Sequence, residues 1–133
     1  MKDTEVDFHF ANAVMPVSSV KEAATFYKEK LGFTIDVLWE NPNYACFSRG
    51  GITIEFGEGR PKHVGGGACV IQVSDVESIY KEFKAQEVEF VGDFAERDYG
   101  SKDFRIRDHD GNLLVFGSAL DNKEELVASR NVA

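Results

Sequence analysis

The chain has 133 residues, 43% of them hydrophobic and 12% aromatic, which is the size and material of one domain with a real core. A formal net charge of −8 without clustered Lys and Arg excludes a nucleic-acid surface and fits cationic or neutral partners, although charge alone also serves solubility. Two cysteines without CxxC spacing, no apolar run near the roughly 20 residues of a membrane span, and a Met1 to Glu5 start unlike a signal peptide lead to the expectation of a cytoplasmic protein without disulfides.

The first strand-like run is "ANAVMPVS", and the helix that follows it is "SVKEAATFYKEKLGF". Ser19 and Glu22 have capping-box spacing, Val20, Ala23, Ala24, Tyr27 and Leu31 share one face, and Gly32 ends the helix. The run "TIDVLWE" reads as a strand. After it, "YACFS" and "ITIEF" flank Gly50-Gly51 as a hairpin. The segment "GEGRPKHVGGG" lacks GxGxxG spacing and reads as a linker.

The same order then recurs. "ACVIQVS" is a strand, and "SDVESIYKEF" is a second amphipathic helix with Ser74 and Glu77 as its box and Val76, Ile79, Tyr80 and Phe83 on one face. "VEFVGDF" is the least clear strand. "FRIRD" and "NLLVFG" flank Asp110-Gly111 as a second hairpin. Val17-Ser18-Ser19-Val20 lies over Val73-Ser74-Asp75-Val76, and "RGGITIEFG" lies over "HDGNLLVFG", so the chain is an internal repeat of strand, helix and three strands. One domain, 1–133, is expected, with module one at about 7–58, a linker at 59–66, module two at about 67–118 and a tail at 119–133.

This βαβββ repeat, with "FYKEKLGF" and "YGSKDFRIRDHDGN", resembles the vicinal-oxygen-chelate superfamily, which contains glyoxalase I, extradiol dioxygenases, fosfomycin-resistance enzymes and bleomycin-resistance proteins. The resemblance runs from about Phe8 to Gly117. It implies an α+β fold in which two βαβββ modules form a partly closed mixed β-barrel around a cleft. In metal-dependent members one divalent ion is held by four side chains, at positions that carry over to Asn12, Glu55, Ala68 and Val115. Ala68 and Val115 offer no donor and Asn12 at most a weak one, so no metal and no other cofactor is expected.

Strand parity around a two-residue turn at Gly50-Gly51 sets Cys46 opposite Glu55 and Ser48 opposite Thr53, with Tyr44 on the same cleft side. Phe47, Ile54 and Phe56 pack under the first helix. By the repeat, Phe104, Ile106 and Val115 line the cleft from module two, joined by Val70 and Gln72. The candidate ligand-binding residues are thus Trp39, Tyr44, Cys46, Ser48, Glu55, Gln72 and Phe104, with no catalytic residue assigned. Trp39 either stacks on a ligand or packs in the core or a subunit interface; Glu55 either faces a ligand cation or is simply solvated.

Within the superfamily, "MPVSSVKEAATFYKEKLGF" and "YACFSRGGITIEF" resemble the bleomycin-resistance proteins most. That resemblance implies a metal-free protein that sequesters a cationic or aromatic small molecule in a cleft at a homodimer interface. Pro16 stands where those proteins have a proline that accompanies exchange of the N-terminal strand, and here it either marks such an exchange or merely ends a strand. The alternatives are a glyoxalase-like lyase or isomerase, using Glu55 with a metal or as a general base of raised pKa, and a pure interaction module with a filled cleft.

Overall fold

The computed structural model describes residues 5–96 and 101–118. After an extended segment, module one runs β1 (Val14–Val17), α1 (Val20–Leu31), β2 (Thr34–Trp39), β3 (Tyr44–Arg49) and β4 (Ile52–Glu58). Module two runs β5 (Ala68–Val73), α2 (Val76–Lys84), two short strands β6 (Glu89–Phe90) and β7 (Ala95–Glu96), then β8 (Lys102–Arg107) and β9 (Leu113–Ser118). The weakly patterned "VEFVGDF" thus supplies only the two-residue β6, and β7 follows beyond it; both pair with β8. A single 3-10 turn, Pro61–His63, interrupts the linker.

Each helix closes the apolar face of one sheet. Ser19 caps α1 by accepting the Glu22 N–H, and Gly32 ends it at a φ of 72°, a left-handed conformation that costs a glycine nothing. Val20, Ala23, Ala24, Tyr27 and Leu31 are buried and meet Phe47 and Phe56, with the Tyr27 and Phe56 rings 4.6 Å apart. The second cap lies one residue later than its sequence pattern indicates. Asp75, not Ser74, accepts the Ser78 N–H and hydroxyl, because a carboxylate at that position reaches both donors.

The sheets have the orders β1-β4-β3-β2 and β5-β9-β8-β6, with β7 also on β8. In both, a parallel pair, β1 with β4 and β5 with β9, carries the crossover helix. Among the described residues no strand of one sheet pairs with a strand of the other, so one chain holds two open sheets and the expected barrel does not close within it.

The modules meet through the turn between β8 and β9. Asp108 accepts the Tyr27 hydroxyl at 2.7 Å, the Asn112 amide at 3.0 Å and the N–H groups of Asp110 and Asn112 at 2.9 Å. Asp110 takes the Ser18 N–H at 2.7 Å, and Asn112 joins the Pro16 carbonyl to the Gly67 N–H. A side chain at Gly67 would stand 2.9 Å from both Pro16 and Asn112, so the close approach of β1 to the start of β5 requires glycine there. On the far side of the seam, Arg49 makes a two-pronged ion pair with Glu82 and donates to the Leu31 carbonyl.

Candidate functional site

The side of each sheet that no helix covers is its open face. In module one the two-residue turn sets Cys46 opposite Glu55, Ser48 opposite Thr53 and Phe47 opposite Ile54, the register expected from the sequence. Phe47, Ile54 and Phe56 are buried, while Tyr44, Cys46, Ser48, Thr53 and Glu55 are half-buried on the open face. Trp39 joins them for a reason that alternation alone would miss. Ile35 pairs with Phe47 and Val37 with Cys46, so Asp36 is an extra residue, a bulge that moves Val37 and Trp39 from the helix side to the open side. Trp39 is then the cross-strand partner of Tyr44 and is 59% exposed.

Glu55 is the only acid among these open-face residues of module one, and its own neighbours satisfy it. One carboxylate oxygen accepts the Tyr44 hydroxyl and the other accepts the Asn12 amide at 2.8 Å. Both bonds favour the ionised form, the Tyr44 bond most, so the carboxyl group is held below its ordinary range. The same bond is the main reason the Tyr44 phenol is pushed up. A general base working near neutral pH needs the opposite shift. The donors at the metal positions also fail to fit an ion. Asn12 donates its amide N–H to Glu55 and could offer only a weak carbonyl oxygen, and the side chains of Ala68 and Val115 have no ligating atom, so one carboxylate and one weak oxygen stand where a catalytic site needs about three protein ligands. Among the described residues no group of three or more His, Cys, Asp or Glu is placed to hold a metal ion.

In module two, Val70 and Gln72 are exposed on the open face, where the sequence places them. Phe104 and Ile106 are not. Both are buried on the helix side, Phe104 stacked on Phe116 with ring centroids 5.3 Å apart, and Arg105 takes the outward position opposite Val115. The reversal comes from the turn. Arg107 pairs with Leu113 across five residues, not across a two-residue Asp110-Gly111 loop, because Asp108 folds the turn around its own carboxylate. Relative to module one, β8 is shifted by one residue, and one residue exchanges the faces of a strand.

A cavity of about 450 Å³ lies elsewhere, between α2 and the β3–β4 turn. Its walls include Phe33, Ile71, Phe83 and Phe116, each 4% exposed or less, and Arg49, the ion-pair partner of Glu82, also lines it. It is the seam between modules, and of the candidate residues only Gln72 borders it. The open faces, by contrast, expose Val14, Val37, Trp39 and, at 66%, Val70.

The glyoxalase/bleomycin resistance protein/dioxygenase superfamily model matches residues 9–116, most of the chain. The chain belongs to this superfamily. Among curated proteins none matches it. Among solved structures, the bleomycin-binding protein of bleomycin-producing Streptomyces verticillus, in complex with copper(II)-bleomycin, is similar at a TM-score of 0.74 and 22% identity, covering 86% of this chain and 99% of that one. The bleomycin resistance determinant encoded on transposon Tn5 gives 0.72 and 20%, covering 85% and 99%. TioX from a Micromonospora species gives 0.68 and 18%, covering 86% and 98%. At these identities the likeness is one of fold.

Proposed function

We propose that this superfamily member is a metal-free binding protein that sequesters an aromatic, cationic small molecule in a cleft at a homodimer interface. The observation that carries the reading is the pairing of Trp39 with Tyr44 beside Glu55 on a face that no helix covers. Two aromatic rings offer planar stacking area, and an ionised carboxylate beside them favours a cation. The open face of module one in one copy and that of module two in the other form the cleft. Large exposed apolar side chains support this, since soluble monomers rarely leave such surface bare. Phe8, 97% exposed, and Phe10 lie in the extended segment before β1 and are available to a second copy. On this reading Pro16 sets the departure of the exchanged arm, and the names of the bleomycin-binding structural relatives suggest the kind of ligand.

The single tryptophan provides the test. Titration with bleomycin and with a panel of cationic aromatic antibiotics is expected to change Trp39 fluorescence saturably and to raise the unfolding temperature. No saturable response to any of them removes the reading. Sedimentation at micromolar concentration is expected to give a dimer of the 14.8 kDa chain, and deletion of residues 1–12 is expected to abolish both dimer and ligand binding.

A further inference from the structure

We infer that the ligand also carries an anionic group, and that Arg105 takes it. This rests on the reading of the open faces as a ligand cleft and adds the chemical class of ligand. Arg105 stands in β8 between buried Phe104 and Ile106, so its side chain leaves the sheet on the open side. Its cross-strand partner there is Val115, whose own partner on β5 is the exposed Val70. The guanidinium has Val115 and Val70 beside it across the sheet, and along its own strand Asp103 and Arg107 share its face, Asp103 with a contact of its own and Arg107 held by Glu89.

Neighbouring cations of the fold are already committed. Arg107 lies 3.8 Å from Glu89 and donates to the Gly111 carbonyl, Lys102 lies between Glu77 and Glu96, and Arg49 holds Glu82. Among the described residues no carboxylate lies within ion-pair distance of Arg105. While the face is wet, water solvates this charge at no cost. Once the face is covered, a guanidinium without an anion becomes a buried unpaired charge, which is among the costliest arrangements in a protein. An occupant that brings an anion to Arg105 is therefore favoured over one that does not.

Glu55 makes no such demand, because Tyr44 and Asn12 occupy both of its oxygens. Of Glu55 and Arg105, it is the cation that has no ion-pair partner among the described residues. The flat fork of a guanidinium matches an oxyanion that can accept two N–H groups, a carboxylate, sulfonate or phosphate. An aromatic zwitterion, its cation toward Glu55 and its oxyanion toward Arg105, satisfies both modules. A carboxylate from the second copy is the competing occupant.

The experiment uses two dyes with one aromatic skeleton, 8-anilinonaphthalene-1-sulfonate and the neutral N-phenyl-1-naphthylamine, titrated into the full-length protein. Arg105→Gln is expected to weaken the sulfonate dye about tenfold and the neutral dye less than about twofold. Arg105→Lys should restore part of the sulfonate affinity, and Arg60→Gln, an exposed charge in the linker, should change neither. Circular dichroism of each variant checks the fold. Unchanged sulfonate affinity in Arg105→Gln overturns the proposal but leaves the cleft standing if Tyr44→Ala still weakens the neutral dye. If Tyr44→Ala weakens neither dye, the cleft reading itself fails and the anion site goes with it. Should Arg105→Gln dissociate the dimer without altering dye affinity, the anion belongs to the second copy and the proposal is wrong.

Discussion

Trp39 faces Tyr44 across β2 and β3 because Asp36 bulges out of the ladder between Ile35 and Val37. Were Asp36 instead paired in the ladder, strict alternation from Ile35 would send Trp39 to the helix side and leave Tyr44 without an aromatic neighbour. Deleting Asp36 would close the ladder with every pairing kept, since Val37 already sits opposite Cys46. We therefore expect the deletion variant to keep Trp39 on the open face, with acrylamide quenching like that of the parent. A blue-shifted, quencher-protected tryptophan would show that the bulge is not what orients it.

Tyr44 serves both as a ring and as a hydrogen-bond donor, and two substitutions separate these. Tyr44→Phe keeps the ring and removes the largest influence that lowers the Glu55 pKa, so the carboxyl should titrate nearer its ordinary range in a carbon-detected NMR titration. Tyr44→Ala should in addition weaken an aromatic ligand by on the order of 1–3 kcal/mol. Unchanged affinity in the alanine variant would take Tyr44 out of the site.

Glu55→Gln should cost a cationic ligand more than a matched neutral one, and the difference should shrink as salt is raised. Equal losses for both would count against a charge role. The donor set further predicts that the purified protein carries no stoichiometric divalent ion and that added zinc leaves its unfolding temperature unchanged. Elemental analysis finding about one ion per chain, lost in Glu55→Ala, would contradict this.

Asp108 anchors the seam between modules, so Asp108→Ala leaves a buried tyrosine hydroxyl and an asparagine amide without their acceptor. A loss of about 3 kcal/mol in urea unfolding is expected, and Tyr27→Phe should lose about 2 kcal/mol. Burial, and then the Asp108 charge, push the Tyr27 pKa well above its ordinary 10.0. Above pH 10 the unfolded chain therefore releases a proton that the folded chain keeps, so this contribution is whole below pH 10 and falls as pH rises beyond it. Comparing alkaline stability profiles of the parent and Tyr27→Phe isolates the effect; identical slopes would refute it.

The parts of the fold that local physics decides were open to reading from the sequence. A helix announces itself by cap and periodicity, and α1 carries both in agreement, down to the five residues it buries. A Gly-Gly turn admits few geometries, so the Cys46–Glu55 pairing followed from it. The second hairpin was misread because Asp110-Gly111 offers a two-residue turn while Asp108 and Asn112 enforce a longer one through side-chain bonds that the hairpin signal does not encode. That one residue hid Arg105 and put Phe104 on the wrong face. The Asp36 bulge left no mark in composition either, since bulges answer to pairing along the whole strand. That the two sheets share no strand pairing among the described residues depends on how the modules are placed over long range and could not be read from local pattern at all.

The two open sheets of one chain carry a genetic consequence. On the proposed two-chain cleft, each binding site draws its aromatic half from one polypeptide and its cationic half from the other. A subunit crippled at Tyr44 and another crippled at Arg105 would each be inactive when expressed alone. Co-expressed, they would mix into heterodimers in which one cleft inherits both lesions and the other inherits none. Two null alleles would then complement each other, recovering up to half the capacity of the parent dimer, a behaviour that a site enclosed within one chain could not produce.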